Sequence, residues 1–307
     1  MDRGNAVSFG LVSILIPCYN TRAHVAVAIE SALAQRDCPV EVVVVDDGST
    51  DDSAEVIAPY RDRIVYVQQP NRGLSAARNA AMAAASGEYF LLLDADDILL
   101  PHAAASRREV LERDPEIGLV AGWFREIDAE GVPIDRTPEK RTVWPRDHFR
   151  QCVRRNWGPP VGWTFRRSVV EQVGGFDPFL KSCEDWDFVI RVSRRFRIGY
   201  VPESHVLYRK AAGQMSSNYL RMLDAAHRVY LKNRAIAPNA FLYWIDGKYG
   251  QFELGRRILY AVLFEGTGSR LREVGRLVLR QPHLLWVGAL SAVSYLLGKR
   301  PSMRSAR

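Results

Sequence analysis

Nothing in the sequence restricts the fold more than Tyr89-Phe90-Leu91-Leu92-Leu93-Asp94-Ala95-Asp96-Asp97, followed by Pro101. Five apolar residues in succession read as a strand buried on both faces, inside a sheet that helices cover on either side. The run ends in three carboxylates within four positions. An unpaired carboxylate at the end of a buried strand is costly or takes up a proton, so these residues call for a partner. A divalent cation at the strand's C-terminal end supplies one. Hard oxygen ligands suit Mg2+ or Mn2+, and Mg2+ takes one or two carboxylates while substrate phosphates supply other ligands. An acidic, solvated loop is the plain alternative for a single Asp-x-Asp. The other strand ends argue against it.

The same punctuation recurs along the chain. Val12-Ser13-Ile14-Leu15-Ile16 is a short strand stopped by Pro17, and Val25, Ile29 and Leu33 mark a helix over Arg22–Gln35. Glu41–Val45 is a second buried strand, ending in Asp46-Asp47-Gly48-Ser49-Thr50. Ser49 or Thr50 is suited to cap the next helix, Asp51–Tyr60, whose first turn is acidic. Ile64–Val67 is a third strand, and Asn71-Arg72-Gly73 a turn. An alanine-rich helix runs from Ser75 to Ala85, Gly87 ends it, and the fourth strand starts at Glu88. Alternation at this spacing predicts an α/β fold: a Rossmann-like, mostly parallel sheet with flanking helices. Ligands of such sheets sit beyond the carboxyl ends of the strands, where Pro17, Asp46-Asp47 and Asp94–Asp96 all fall.

Further on, the pattern predicts a helix over Ala103–Arg113, a strand over Ile117–Ile127 and a polar hairpin and loop over Asp128–Pro145. A strand over Val161–Phe165, a turn at Gly174-Gly175-Phe176-Asp177, a helix over Glu184–Arg195 and a short strand over Ile198–Val201 follow. From about Ser217 the pattern is helical and the acidic strand ends stop. This predicts a catalytic domain over 10–215 and a C-terminal helical extension over 216–307. Leu284–Gly298 is uncharged, contains Trp286 and Tyr295, and precedes Lys299-Arg300. It is too short to cross a bilayer comfortably. It suits peripheral contact with an anionic membrane surface, or packing on the catalytic domain or a second subunit.

The net charge of +7 favours anionic partners. The basic residues are spread out and carry no nucleic-acid-binding signature, so no nucleic-acid partner is expected. Cys18, Cys38, Cys152 and Cys183 are scattered, with neither a disulfide framework nor a zinc spacing. With no signal-peptide pattern at the N-terminus, a cytoplasmic location is expected, peripheral at the cytoplasmic face if the C-terminal segment meets membrane.

Val12-Ser13-Ile14-Leu15-Ile16-Pro17-Cys18-Tyr19-Asn20, Val45-Asp46-Asp47-Gly48-Ser49-Thr50-Asp51, Asn71-Arg72-Gly73-Leu74-Ser75-Ala76-Ala77-Arg78-Asn79 and Leu93-Asp94-Ala95-Asp96-Asp97 together resemble glycosyltransferase family 2. Gly174-Gly175-Phe176-Asp177 and Glu184-Asp185-Trp186-Asp187 are similar to that family's acceptor-side motifs. The resemblance covers roughly residues 10–215. It implies a glycosyltransferase-A fold, a nucleotide-sugar donor, most readily a UDP-sugar, and inversion at the anomeric carbon. The backbone around Pro17 and Tyr19 would cradle the base, with Tyr19 offering a stacking face. Asp46 or Asp47 would accept from the base or ribose, or else cap a helix. Arg72 suits a phosphate or base contact, or lies on a solvated turn. Arg78 and Asn79 would brace the site.

In the family's pattern Asp94 faces the ribose and Asp96 holds the metal, Mg2+ or Mn2+, against the diphosphate. Asp97 would cap the following turn. Asp185 matches the base that deprotonates the acceptor hydroxyl. Glu184 and Asp187 crowd it, and Trp186 walls an acceptor pocket or belongs to the core. The chain departs from the pattern at Tyr208-Arg209-Lys210-Ala211-Ala212-Gly213-Gln214-Met215-Ser216, where the family commonly has a histidine. Arg209 or Lys210 is the candidate for its contact with the diphosphate, and His205 reads as structural.

The expected function is therefore an enzyme: an inverting, metal-assisted glycosyltransferase of hexosyltransferase type, extending a cell-envelope glycan or lipid-linked acceptor. A sugar-phosphate nucleotidyltransferase would want a glycine-rich basic loop after the first strand, where Pro17-Cys18-Tyr19-Asn20 stands. A catalytically silent scaffold that binds nucleotide-sugar is the non-enzyme alternative, and only the altered segment after Tyr208 speaks for it.

Overall fold

A computed structural model of the chain describes residues 7–134, 148–154, 156, 158–210, 219–237 and 239–240. The chain divides into two compact units, Met1–His148 with Gly158–Ala212, and Phe149–Trp157 with Gly213–Arg307. The first unit is built on one eight-stranded sheet. Its strands are β1 (Ser8–Cys18), β2 (Val40–Asp46), β3 (Val65–Gln68), β4 (Gly87–Leu92), β5 (Ile98–Leu99), β6 (Ile117–Ile127), β7 (Thr164–Arg166) and β8 (Arg197–Arg209). The order across the sheet is β3-β2-β1-β4-β7-β6-β8-β5. The first four strands of that order are all parallel, with Cys18 beside Asp46 and Asp46 beside Gln68. β7 runs antiparallel to β4 and β6, and β8 returns parallel to β6.

The apolar runs explain why the parallel strands sit inside. Val12 to Cys18, Val42 to Val45 and Tyr89 to Leu93 are all buried. Alternate side chains serve opposite faces, as a strand requires. Ile14, Ile16, Val42, Val44 and Leu91 pack with α1 (Val25–Leu33), α2 (Ser53–Ile57, continued by a 3-10 turn over Ala58–Tyr60) and α4 (Ala103–Arg113). The other face carries α3 (Leu74–Ala84), α6 (Arg167–Val173) and α7 (Glu184–Ser193). There Phe90, Phe165, Phe188 and Phe176 form a chain of ring contacts, with centroids 5.8, 5.0 and 4.6 Å apart in turn. Helices α5 (His148–Arg154) and α8 (Tyr219–Asn233) complete the described helices. α8 belongs to the second unit and buries Ala225, Ala226, Val229 and Asn233, one stripe of its surface.

Ala103–Arg113 and Ile117–Ile127 have the bounds their patterns predict. One proline misleads. Pro17 does not stop β1, which runs on to Cys18. Pairing with β4 ends at Leu15, so the missing N–H of Pro17 faces a side where no ladder bond is required. The expected short strand at Ile198–Val201 is the 13-residue β8. Its pairing with β6 steps from Val201 to Ser204, and the skipped Pro202 and Glu203 form a bulge where a proline is tolerated. β5, α5 and α6 are short elements with no periodic signal. Of the polar hairpin, the turn after β6 is described: Asp128 accepts the N–H groups of Glu130 and Val132 through its carboxylate. Residues 135–147, the expected boundary near Ser217 and the apolar segment Leu284–Gly298 lie outside the described residues. Among the described residues no helix is long and apolar enough to cross a membrane.

The turn before α7 is held from α3. Asn79 accepts the Phe176 N–H at 2.8 Å and donates to the Phe176 carbonyl at 2.7 Å. From α7, Arg191 donates to the carbonyls of Val173, Gly174 and Gly175 while pairing with Asp187. Gly175 is required by contact: a Cβ there would lie 2.4 Å from Asn79 Oδ1. Gly175→Ala is expected to cost about 1–3 kcal/mol, as overpacking does. Urea denaturation checks this, and in an Asn79→Ala background the added cost of the same change should shrink.

Candidate active site

The parallel order of β1, β2, β3 and β4 brings their C-terminal ends to one rim, and the loops beyond them brace one another. Asn20, at a left-handed φ of +53°, accepts the Thr50 N–H at 2.7 Å and donates its own N–H to Ser49 Oγ at 3.1 Å. Ser49 and Thr50 thus tie two loops together rather than cap α2. Asp51 does more there, accepting the N–H of Ser53. Tyr19 stands beside this brace with 47% of its surface exposed, and Pro17 is buried within β1.

Asp46 and Asp47 lie at the end of β2 and face different tasks. Asp46 is fully buried. It accepts the Ser49 N–H at 2.8 Å, and Tyr66 Oη and Gln68 Nε2 approach its other oxygen at 3.2 and 3.4 Å. Asp47, 3% exposed, accepts from Gln69 Nε2 (2.6 Å), the Arg72 N–H (3.0 Å) and the Gly73 N–H (2.8 Å). Its carboxylate therefore shapes the loop that opens α3. Gly48 permits the close approach: its φ is +73°, and a Cβ would lie 2.7 Å from the Asn71 nitrogen. The Arg72 side chain projects from this loop, exposed, with no hydrogen bond or ion pair among the described residues.

One turn into α3, Arg78 is 1% exposed. Its Nη2 meets Asp94 at 2.8 Å, and its Nη1 meets Glu184 at 2.8 Å. The guanidinium also lies over the Phe176 ring, 5.3 Å from its centroid. Burial alone would depress its pKa, but Asp94 and Glu184 more than reverse that and hold the cation charged. This one side chain ties the acidic end of β4 to the first turn of α7. There Glu184 is buried, Asp185 is half-buried and accepts the Trp186 N–H at 2.7 Å, and Asp187 is fully buried beside Arg191. Trp186 is 7% exposed, which puts most of its ring in the interior. Cys183, just before the helix, has a left-handed φ of +58° that turns the chain into it. A non-glycine residue in that region carries strain, which gathers at functional sites.

On the far side of the β4 loop, Asp97 is not a cap but reaches β8, accepting the Arg209 N–H at 2.7 Å. Its other oxygen, Oδ2, is buried with no partner among the described residues. Arg209 is 4% exposed and donates to the carbonyls of Asp96, Asp128 and Ala129. Those contacts assign it to holding the loop rather than a diphosphate. Lys210 sits 3.3 Å from Glu126. His205 is 3.1 Å from Ser106 of α4, in keeping with a structural role.

Burial, and then the charge of Asp94, push the Asp96 carboxyl up to about 6. Burial and both neighbours push Asp97 up as well. Such crowding, with a buried oxygen left over, suits a hard divalent cation that draws its remaining ligands from phosphate oxygens. Among the described residues no group of three or more His, Cys, Asp or Glu side chains is arranged to hold a metal by itself. Asp96, with Asp94 and Asp97 on either side of it, is the carboxylate that could meet such a cation.

The glycosyl transferase family 2 profile matches residues 13–174, more than half of the chain, and the chain belongs to that family. It is similar to an uncharacterized glycosyltransferase of Nostoc sp., 34% identical over 175 residues and 54% of each chain. It is 32% identical over 185 residues to a chondroitin synthase of Escherichia coli, covering 57% of this chain and 26% of that one. It thus spans about half the length of the first relative and a quarter of the second. Among solved structures, S. aureus TarS 1–349 superposes with a TM-score of 0.64 at 18% identity, covering 94% of this chain and 91% of that one. A mannosyltransferase of Pyrobaculum calidifontis, in complex with GDP-Man and Mn2+, superposes at 0.56 with 19% identity over 95% and 88%. These likenesses define the fold, a glycosyltransferase-A type.

The acid chemistry of the β4 loop has a measurable consequence. With a folded pKa near 6 against 3.8 unfolded, Asp96 binds its proton more tightly when folded. Its contribution to stability is present below pH 3.8 and is lost as the pH rises towards about 6. In chelator-treated protein, Asp96→Asn should therefore gain in Tm over the unsubstituted chain between pH 4 and 7. Mn2+ at pH 7 should narrow that gap by stabilising the unsubstituted chain. Parallel pH–Tm curves in chelator would show that Asp96 has no raised pKa.

Proposed function

We propose that the chain is an inverting glycosyltransferase that moves a sugar from a UDP-sugar to a glycan or lipid-linked acceptor. The observation that carries this reading is the Arg78 bridge, which brings the acidic end of β4 and the acidic start of α7 to one rim. S. aureus TarS 1–349 has also been solved with UDP-GlcNAc, at a TM-score of 0.59 and 20% identity over 78% of this chain and 71% of that one, and with UDP. Those donors, and the GDP-Man of the archaeal mannosyltransferase, favour a nucleotide-sugar here.

In this reading Tyr19 stacks on the base beside the backbone of Pro17, and Asp46 and Asp47 hold the loops that frame it. Arg72 meets donor oxygens with its exposed guanidinium. Asp94 faces the ribose, and Asp96 holds Mg2+ or Mn2+. The cation, when bound, offsets negative charge on the departing nucleoside diphosphate. Asp185 takes the acceptor's hydroxyl proton as that oxygen attacks the face opposite the leaving group. Glu184 fixes the start of the helix, and Trp186 backs the acceptor side. Residues 10–215 form the catalytic domain, and 216–307 a helical region whose apolar segment meets the cytoplasmic face of the membrane.

A thermal-shift screen of nucleoside diphosphates and nucleotide-sugars, with and without Mn2+, tests the donor, because a ligand bound only to the folded chain raises Tm. UDP with Mn2+ should give the largest rise. Asp185→Asn should keep that rise while sugar transfer or donor hydrolysis falls about 10²–10⁴-fold, the usual contribution of a general base. Undiminished turnover would remove Asp185 from the role.

A further inference from the structure

We infer that Arg78 is a positioning residue that sets where Asp185 stands relative to the donor, an inference that rests on the reading above. Neither Arg78 nor Asp94 is near Glu184 in sequence, yet one guanidinium holds both carboxylates at 2.8 Å. It can do so because its two terminal nitrogens diverge from a rigid plane, a geometry lysine lacks. Asn79, the next residue of α3, pins Phe176 ahead of α7, and Phe176 stacks on Phe188 within α7. The start of α7 is thus fastened to α3 at two points, the turn before it and its first residue. Asp185 follows Glu184 directly, so its backbone stands where both fastenings put it. Asp94 is the third member of the set and lies on the donor side. Any movement of the β4 loop on donor binding therefore reaches Asp185 through Arg78.

The guanidinium is the discriminating part, because a plain structural role would need only a buried cation. Arg78→Lys keeps the charge and removes the fork. The experiment uses the full chain with UDP-GlcNAc, UDP and Mn2+ as probes. In the unsubstituted protein, UDP with Mn2+ should slow amide hydrogen exchange at residues 184–188 as well as in the donor loops. In Arg78→Lys, UDP should still bind within about threefold of the original affinity, the slowing at 184–188 should vanish, and kcat for UDP-GlcNAc hydrolysis should fall about 10²-fold, the scale of a 1 Å misplacement. Glu184→Gln, which preserves shape, should show the same split more weakly and covers the case in which the lysine variant does not fold. The two substitutions combined should lose less than the sum of their separate effects. An Arg78→Lys protein with the original kcat, or with turnover reduced only in step with its UDP-binding capacity, overturns the inference. Failure of the unsubstituted chain to bind or hydrolyse any probe would instead bring down the donor reading, and this inference with it.

Discussion

A single buried cation between two carboxylates organises the candidate site of this protein. Removing one partner of a buried pair typically costs about 3–5 kcal/mol, because the charge left behind has no solvent. Arg78 has two partners from different parts of the chain, so the packing of α3, the end of β4 and the start of α7 cannot vary independently. Replacing such groups with apolar side chains is often neutral or better for stability. Stability alone does not account for an arginine here, and the proposed role in placing Asp94 and Asp185 would.

Among the described residues, Asp96 and Asp97 of the β4 loop make no ion pair. Asp47 is satisfied by backbone N–H groups, and Asp187 by Arg191. Arg209 gives its side-chain donors to carbonyl oxygens and only its backbone N–H to Asp97. Among the described residues, the protein thus fixes the shape of the β4 loop while ion-pairing only Asp94 of its three carboxylates. That is the condition in which a bound cation and its diphosphate complete a site rather than compete with an existing ion pair.

Much of this was legible in the chain. Long apolar runs mark buried strands whatever surrounds them, which is why Tyr89–Leu93 and Val42–Val45 fall where the pattern predicts. Helix α4 and strand β6 have the bounds that the sequence pattern predicts. The errors share a cause. Pro17 read as a strand stop because a local rule forbids proline a ladder bond, yet it faces an unpaired side, and the strand read only over Ile198–Val201 continues past a bulge. Ser49 and Thr50 read as caps because their hydroxyls suit that task, but Asn20, 29 and 30 positions away, claims them first. Arg209 or Lys210 stood as candidates for a diphosphate contact because they occupy the place of the family's histidine, and the bonds of Arg209 to the turn after β6 are invisible until that turn folds over.

The sequence by itself determined which segments are buried strands, that carboxylates follow β2 and β4, and that the family's motifs occur in order. Periodicity and residue chemistry are local, so they survive without coordinates. Which carboxylate meets which arginine was decided only by the tertiary structure. Arg78, Asp94 and Glu184 are brought together by the parallel order of the sheet and by α3 and α7 lying on one face of it, and no spacing along the chain encodes a distance across it.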